Sequence, residues 1–386
     1  MFKLLLKNLK KHITKISAMD YKPAFFSLER LLVVISGFYK AGTTLRLYMY
    51  QTGLLKSRQL PCFVIFIGNI VAGGSGKTPM AIYIAELLKE MGKKPAIISR
   101  GYKGTLENRT KVVGDAKTVF LSSDTAGDEP YMMARRKTFP VVTGKDRYKA
   151  GMLAVRESNP DVIILDDGFQ HLKVNRDMNI LLFDHDRPLG NGKMLPAGRL
   201  RETPAMSKKP VHAVIFTRSP EKTDSGRTAN YREAFDLMRQ YPETPFFKSF
   251  HSPTLFKFIP SQNNSHYNSK IQNRITSLNI LKDRKAVLFS GIANNSAFAE
   301  EVHKIGCSIL AHLEFKDHFR YKNSDIQMIQ EKIERLKADM IVTTEKDWVK
   351  LSRGIEWSAD MAVVGININF QNSMEFESFL NTHINS

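Results

Sequence analysis

Cysteine is scarce in this chain of 386 residues, with only Cys62 and Cys307 present, in separate apolar stretches. Two isolated thiols offer neither a metal-ligand spacing nor a disulfide framework, which points to a reducing cytosolic setting. Long hydrophobic runs are missing as well. The best apolar stretch, residues 31–39, is bounded by Arg30 and Lys40. It falls short of the roughly 18 residues that a spanning helix needs, so no membrane crossing is expected. Acidic residues are in deficit, 38 Asp and Glu against 57 Lys and Arg, for a net charge of +19. Such an excess favours anionic partners: nucleic acid, an acidic membrane surface or a phosphorylated substrate. Nucleic acid is disfavoured because zinc spacing, a helix-turn-helix signature and an aromatic-basic RNA motif are all lacking.

What is present fits a folded protein, since 42% apolar and 25% charged residues are ordinary for a soluble domain. The length suits two domains. At the start, Phe2, Leu5, Leu6, Leu9, Ile13 and Ile16 recur at helical spacing, with Lys3, Lys7, Lys10, Lys11 and Lys15 on the other side. A second segment, residues 31–55, is apolar and aromatic, with Arg30, Lys40, Arg46 and Lys56 spaced along it. Basic amphipathic helices of this kind lie in the headgroup layer of anionic bilayers. Residues 1–57 are therefore expected to form a membrane-associating segment, and no small-residue cleavage site marks a signal peptide.

From residue 63 the pattern becomes apolar run, turn and helix, repeated. Runs at 63–67, 96–99, 141–142, 162–165, 180–183 and 213–217 read as strands, with helices near 79–91 and 148–157. Continuous rather than alternating runs indicate strands covered on both faces, hence a parallel α/β sheet. Composition shifts over 219–284, where residues 261–270 are rich in Ser and Asn and read as an exposed loop. A second series follows, with runs at 286–290, 308–313, 340–343 and 361–364 and helices near 296–305 and 324–336. The division expected is a P-loop domain over 58–218, an irregular linker over 219–284 and a smaller α/β domain over 285–386.

The strongest local signal is Gly73-Gly74-Ser75-Gly76-Lys77-Thr78, set between a strand and a helix. Glycines let backbone N–H groups turn toward phosphate oxygens, and the helix N-terminus favours negative charge. The lysine reaches the outer phosphates while the threonine hydroxyl suits Mg²⁺. Val71 stands where the strict pattern has its first glycine. Asp166 and Asp167 close the 162–165 run and supply the carboxylates that a P-loop metal needs nearby. A partitioning ATPase would carry a signature lysine where Ala72 stands, and a GTPase would want Asn/Thr-Lys-x-Asp, whereas Thr344-Glu345-Lys346-Asp347 has another order. The pattern favours an ATP-dependent kinase using Mg²⁺.

Together with that loop, Gly68-Asn69-Ile70, Ser99-Arg100-Gly101-Tyr102, Gly127-Asp128-Glu129-Pro130 and Asp166-Asp167-Gly168-Phe169-Gln170-His171 resemble the tetraacyldisaccharide 4′-kinase family. So do Leu195-Pro196-Ala197-Gly198-Arg199-Leu200-Arg201-Glu202, Ser290-Gly291-Ile292-Ala293, Asp317-His318 and Thr344-Glu345-Lys346-Asp347. The resemblance runs in order from about residue 28 to the C-terminus. It implies a lipid A biosynthesis enzyme that moves the γ-phosphate of ATP to the 4′-hydroxyl of a tetraacylated disaccharide 1-phosphate. The implied partners are that glycolipid and the anionic lipids of a Gram-negative inner membrane, at its cytoplasmic face, where the enzyme is peripheral.

Residue by residue, the resemblance implies Lys77 and Thr78 for ATP and Mg²⁺, Asp166 and Asp167 at the metal, Asp128 as general base and His318 as its partner. It places Arg100, Tyr102, Gln170, His171 and Glu202 near the acceptor or the phosphates. With Asp128 assigned to the first domain and His318 to the second, the pair is expected to assemble only when the domains close. Two other readings compete: a P-loop kinase for another membrane-associated anionic acceptor, and a membrane-recruited nucleotide switch.

Overall fold

Apolar runs of four to seven residues, each followed by a turn and usually a helix, become the principal elements of the chain in a computed structural model. The elements begin with α1 (Leu28–Gln51), β1 (Phe63–Gly68), α2 (Lys77–Glu90), β2 (Pro95–Ser99) and β3 (Lys111–Asp115). Next come α3 (Asp128–Arg135), β4 (Pro140–Thr143), α4 (Arg147–Ser158), β5 (Val162–Asp166), β6 (Met178–Asp184) and β7 (Ala213–Thr217). Then follow α5 (Tyr231–Gln240), β8 (Phe246–Ile259), β9 (Lys285–Ser290), α6 (Asn295–Lys304) and β10 (Ser308–Glu314). The last are α7 (Asn323–Leu336), β11 (Met340–Thr344), α8 (Glu345–Trp348), β12 (Asp360–Phe370) and α9 (Ser373–Asn385). The structure describes residues 27–167, 171–204, 210–221, 231–261, 277–351 and 354–385. The basic stretch over 1–26, Gln170 and nearly all of the Ser/Asn-rich 261–270 loop lie outside the described residues.

Two compact units result. The described residues of one fall within 1–99, 146–251 and 368–386, and those of the other within 100–145 and 252–367. In the first unit the strands pair in parallel in the order β2-β5-β1-β6-β7-β8. Five residues of β1 and every residue of β5 are buried, as strands with both faces covered require. Helix α2 turns Met80, Ile84 and Leu88 inward at a spacing of four, all fully buried. Each such side chain stabilises the unit by about 1.5–3 kcal/mol relative to exposure. Helix α9 closes the unit through Phe376, which stacks on Phe370 at 4.1 Å and meets Phe247 edge-on at 5.1 Å.

Helix α1 meets the same unit at Leu32 and Ser36. Leu32 and Ala197 are buried together, and Ser36 Oγ donates to Met194 O at 2.8 Å while accepting from Ala197 N at 3.1 Å. Leu47 is buried as well, but much of the remaining apolar surface is bare. Phe38 is 76% exposed and Leu45 60%, with Leu31, Val34, Ile35 and Tyr48 also exposed.

In the second unit β10, β9, β11 and β12 are parallel in that order. Ala286, Leu288, Met340 and Val342 pack into a core with Phe298 and Val302 of α6. Their neighbours Val287, Phe289 and Ile341 pack into another with Ile329 and Ile333 of α7. The period of two thus divides each strand between two covered faces. Strands β3 and β4 form an antiparallel pair in this unit.

The domain boundaries differ from those read in the sequence. The stretch 219–284 is not an irregular linker, because it holds α5 and the 14-residue strand β8. The units are discontinuous, and two of the divisions fall inside β8 and β12. Asp128 and His318 consequently belong to one unit, so that pair is not split between two.

Candidate active site

Parallel pairing sets the phosphate-loop region of the first unit. Register places Ile67 of β1 beside Asp166 of β5, so the loop leaving β1 begins next to the two carboxylates. Gly76 caps α2 at φ 74°, a left-handed conformation that glycine adopts without a Cβ penalty. Any Cβ there would also stand 3.2 Å from His251 Nε2. Thr217 Oγ1, at the end of β7, donates to Ser75 O at 3.2 Å and holds the loop from below.

Inside this frame Lys77 Nζ donates to Asn69 Oδ1 at 3.3 Å and Gly73 O at 3.4 Å, and lies 3.5 Å from Asp167 Oδ1. Thr78 Oγ1 donates to Asp166 Oδ2 at 3.3 Å, both groups being buried. That pair supplies hard oxygen donors of the type Mg²⁺ takes. Ser75 Oγ is buried with no hydrogen-bond partner among the described residues, an atom open to a ligand oxygen. The loop is ready for an anion: a lysine, a helix N-terminus and an unused hydroxyl converge on it.

Two residues that the sequence reading left unassigned flank the loop. Residues 199–201 run antiparallel to 70–72, with Ala72 N donating to Arg199 O and Arg201 N to Ile70 O, each at 2.7 Å. This bridge brings Arg201 Nη1 within 3.6 Å of Asp167 Oδ1 and sets Arg199 against Gly73. The Leu195–Glu202 block carried the signal, but only the β-bridge reveals its place.

Glu202 and His171 sit around Arg176. Glu202 is 3% exposed. Arg176 lies over the Phe66 ring at 3.6 Å and donates to His171 O at 2.7 Å. Burial pulls the Arg176 pKa down to about 9 despite the opposing charge of Glu202. Glu202 is thus a buried counter-charge rather than a surface carboxylate. His251 is lowered to about 4 by burial and by the Arg218 charge, and is neutral at physiological pH.

The second unit gathers Arg100, Tyr102, Asp128 and His318. Asp128 opens α3, where a carboxylate is favoured by the helix dipole. His318 has φ 60°, and its backbone N–H donates to Gly291 O at 3.2 Å. Its ring Nδ1 lies 3.0 Å from Asp128 Oδ2, and its Nε2 lies 3.3 Å from Lys346 Nζ. An ammonium only donates, so Nε2 accepts and Nδ1 carries the proton offered to Asp128. Lys346 also donates to Asp317 Oδ1 at 2.9 Å. Burial raises the Asp317 pKa, but Lys346 and His318 outweigh it and leave it below the ordinary carboxylate value.

The Tyr102 ring meets His318 edge-on at 5.9 Å, with Arg100 over its face at 5.8 Å. Thr105 N donates to Asp124 O and Leu106 N to Thr125 O, tying the Tyr102 loop to the turn before Asp128. The Thr344-Glu345-Lys346-Asp347 block serves this cluster. Asp347 is wholly buried and accepts from Gly291 N, Thr344 Oγ1 and Tyr321 OH, while Glu345 pairs with Arg136 at 2.8 Å. Only Lys346 reaches the histidine. A carboxylate paired to an oriented imidazole can accept a proton from a hydroxyl.

Comparison with known proteins covers nearly the whole chain. A family model described as LpxK, tetraacyldisaccharide-1-P 4′-kinase, matches residues 28–385. The tetraacyldisaccharide 4′-kinase of Syntrophus aciditrophicus (strain SB) is 37% identical over 353 residues, covering 90% of this chain and 91% of the relative. That of Pelobacter propionicus is 40% identical over 328 residues, 84% of each. Among solved structures, the crystal structure of the "apo" form of LpxK from Aquifex aeolicus in complex with ATP matches with a TM-score of 0.68 and 29% identity. It covers 93% of this chain and 100% of that one.

Proposed function

The chain belongs to the tetraacyldisaccharide-1-P 4′-kinase family, and from that membership we propose how its residues carry out the reaction. It is a kinase of lipid A biosynthesis, phosphorylating the 4′-hydroxyl of tetraacyldisaccharide 1-phosphate. The donor is ATP, held by residues 73–78 with Lys77 on the outer phosphates. The observation that carries this is the close set of Lys77 and Thr78 at the start of α2 with Asp166 and Asp167 at the end of β5, the neighbouring parallel strand of β1.

Thr78 Oγ1 and Asp166 Oδ2 fit Mg²⁺, which binds through one or two carboxylates plus substrate phosphates. Among the described residues no group of three or more His, Cys, Asp or Glu could form an all-protein cage, which suits that mode. The metal supplies charge neutralisation on the phosphates. Lys77, now on Asp167, exchanges that carboxylate for phosphate oxygens. Asp128 takes the proton of the 4′-hydroxyl while the hydroxyl oxygen bonds to the γ-phosphorus. The bond from that phosphorus to the β-γ bridging oxygen breaks, and ADP leaves. His318 holds Asp128 in orientation through Nδ1–H. Arg100, Tyr102 and His171 are assigned to the acceptor or phosphates, and Glu202 acts through the position of Arg176.

The acceptor carries long acyl chains, and the exposed apolar side of α1 suits contact with the surface of the bilayer that holds it. No described helix is long and apolar enough to cross a membrane, so attachment at the cytoplasmic face of the inner membrane would be peripheral. The test is transfer of labelled phosphate from ATP to tetraacyldisaccharide 1-phosphate in mixed micelles with Mg²⁺. Labelled lipid dependent on ATP and Mg²⁺ is expected; its absence from a folded enzyme would reject this acceptor.

A further inference from the structure

Resting on that kinase reading, we propose that Arg199 is an arginine finger supplied in cis, binding the phosphoryl group as it transfers. Its side chain lies on the phosphate loop itself. A Cβ placed on Gly73 would stand 2.7 Å from Arg199 Nη2 and 3.4 Å from its Cζ, so the guanidinium rests where any other residue would put a side chain. Gly73 has φ 137° and Gly190 φ 64°. The Arg199 stem runs past Gly190, whose Cβ would meet its Cβ at 3.8 Å and Cδ at 3.9 Å. Two glycines thus leave a lane for one arginine.

The backbone that carries it is fixed. Arg199 O accepts from Ala72 N at 2.7 Å, and its flanking residue Leu200 bridges Val71. The charge, by contrast, is uncommitted. Lys77 and Arg201 both face Asp167, whereas Arg199 has no carboxylate partner among the described residues and is exposed. An unpaired guanidinium held against the loop that cradles phosphates presents a planar fork matched to phosphoryl oxygens. Phosphoryl transfer spreads negative charge over those oxygens and the leaving bridge oxygen, and an arginine aimed there acts mainly on the transition state.

The experiment uses the full chain and its variants Arg199→Ala and Arg199→Lys, assayed with ATP, Mg²⁺ and tetraacyldisaccharide 1-phosphate. Because the side chain is exposed, both variants should keep the parent Tm. Arg199→Ala should lower kcat about 10²–10³-fold, the usual loss of one transition-state donor, with KM for ATP nearly unchanged. Arg199→Lys should fall between, keeping the charge without the fork. A second readout is binding of ADP with and without aluminium fluoride, which mimics the transferring phosphoryl group. Fluoride complexes should tighten ADP on the parent and not on Arg199→Ala. Unchanged kcat, a loss confined to KM, or full retention of that tightening would overturn the proposal. A parent inactive on this lipid would reject the acceptor, while the ADP comparison would still decide Arg199.

Discussion

Lys77 gives the sharpest test at the scale of single residues. Its ammonium contacts Asn69, Gly73 and Asp167 within the loop and props up no core, so Lys77→Ala should fold normally. Losing one phosphate-facing charge costs several kcal/mol at the transition state, so turnover should fall by 10² or more while circular dichroism is unchanged. Asp128 and His318 make a different prediction, because they share one hydrogen bond within one unit. Each alanine variant should lower kcat about 10²–10⁴-fold, and the double variant should be scarcely worse than the poorer single one. Multiplicative losses would show that the two act independently. His251 links the loop to pH. Its pKa is about 4 in the native state against an ordinary 6.5, depressed by burial and Arg218. Between those values the unfolded chain takes up a proton that the native chain refuses, so stability falls as pH drops from 6.5 toward 4. His251→Asn should flatten that slope in urea midpoints measured across this range.

Motif residues were legible in the sequence when their chemistry was local, and illegible when it depended on a distant partner. Residues 73–78 announce themselves because strand, glycines and helix adjoin. Asp347, by contrast, stands in a block that sequence weighed as a failed guanine motif and as one block of the family resemblance, with no role for the aspartate, yet it is a wholly buried anchor for Gly291. Among elements, β1, β5 and β7 were readable because continuous apolar runs mean double burial. Strand β8 was not, since its residues are mostly half-buried and Pro253 interrupts them like a turn signal. The units were hidden for a related reason: divisions inside β8 and β12 leave no change of composition to mark them. Helix α1 was foreseen as an apolar segment, and the structure adds its fastening. Ser36 joins Met194 and Ala197 from one side, so Ser36→Ala should loosen it. Losing a buried hydrogen bond that leaves partners unmet costs about 1–3 kcal/mol locally. Faster amide exchange in α1 with kcat unchanged on a micellar acceptor would be the sign.

For the whole molecule the governing quantity is charge, 57 basic against 38 acidic residues. The proposed membrane attachment would then have two contributions, and they differ in how salt affects them. Lys3, Lys7, Lys10, Lys11, Lys15 and Lys22 precede α1, and near an anionic surface each adds about 1 kcal/mol. That attraction is screened as the Debye length shrinks from about 10 Å at 0.1 M salt to about 3 Å at 1 M. The apolar side of α1, with Phe38 and Leu45 bare, gains by leaving water, which salt does not screen. Sedimentation with vesicles of anionic phospholipid separates the two. The parent should bind strongly in low salt and keep a residual fraction at 1 M. Removing residues 1–26 should abolish most of the low-salt excess and leave that residue intact. The double variant Phe38→Glu and Leu45→Glu should do the reverse, retaining salt-sensitive binding but losing the part that survives 1 M salt. Both substitutions lie on exposed positions, so Tm should not move. If the truncated chain binds in low salt like the parent, the basic stretch is not the electrostatic contact. If the double variant keeps its high-salt fraction, α1 is not the apolar one.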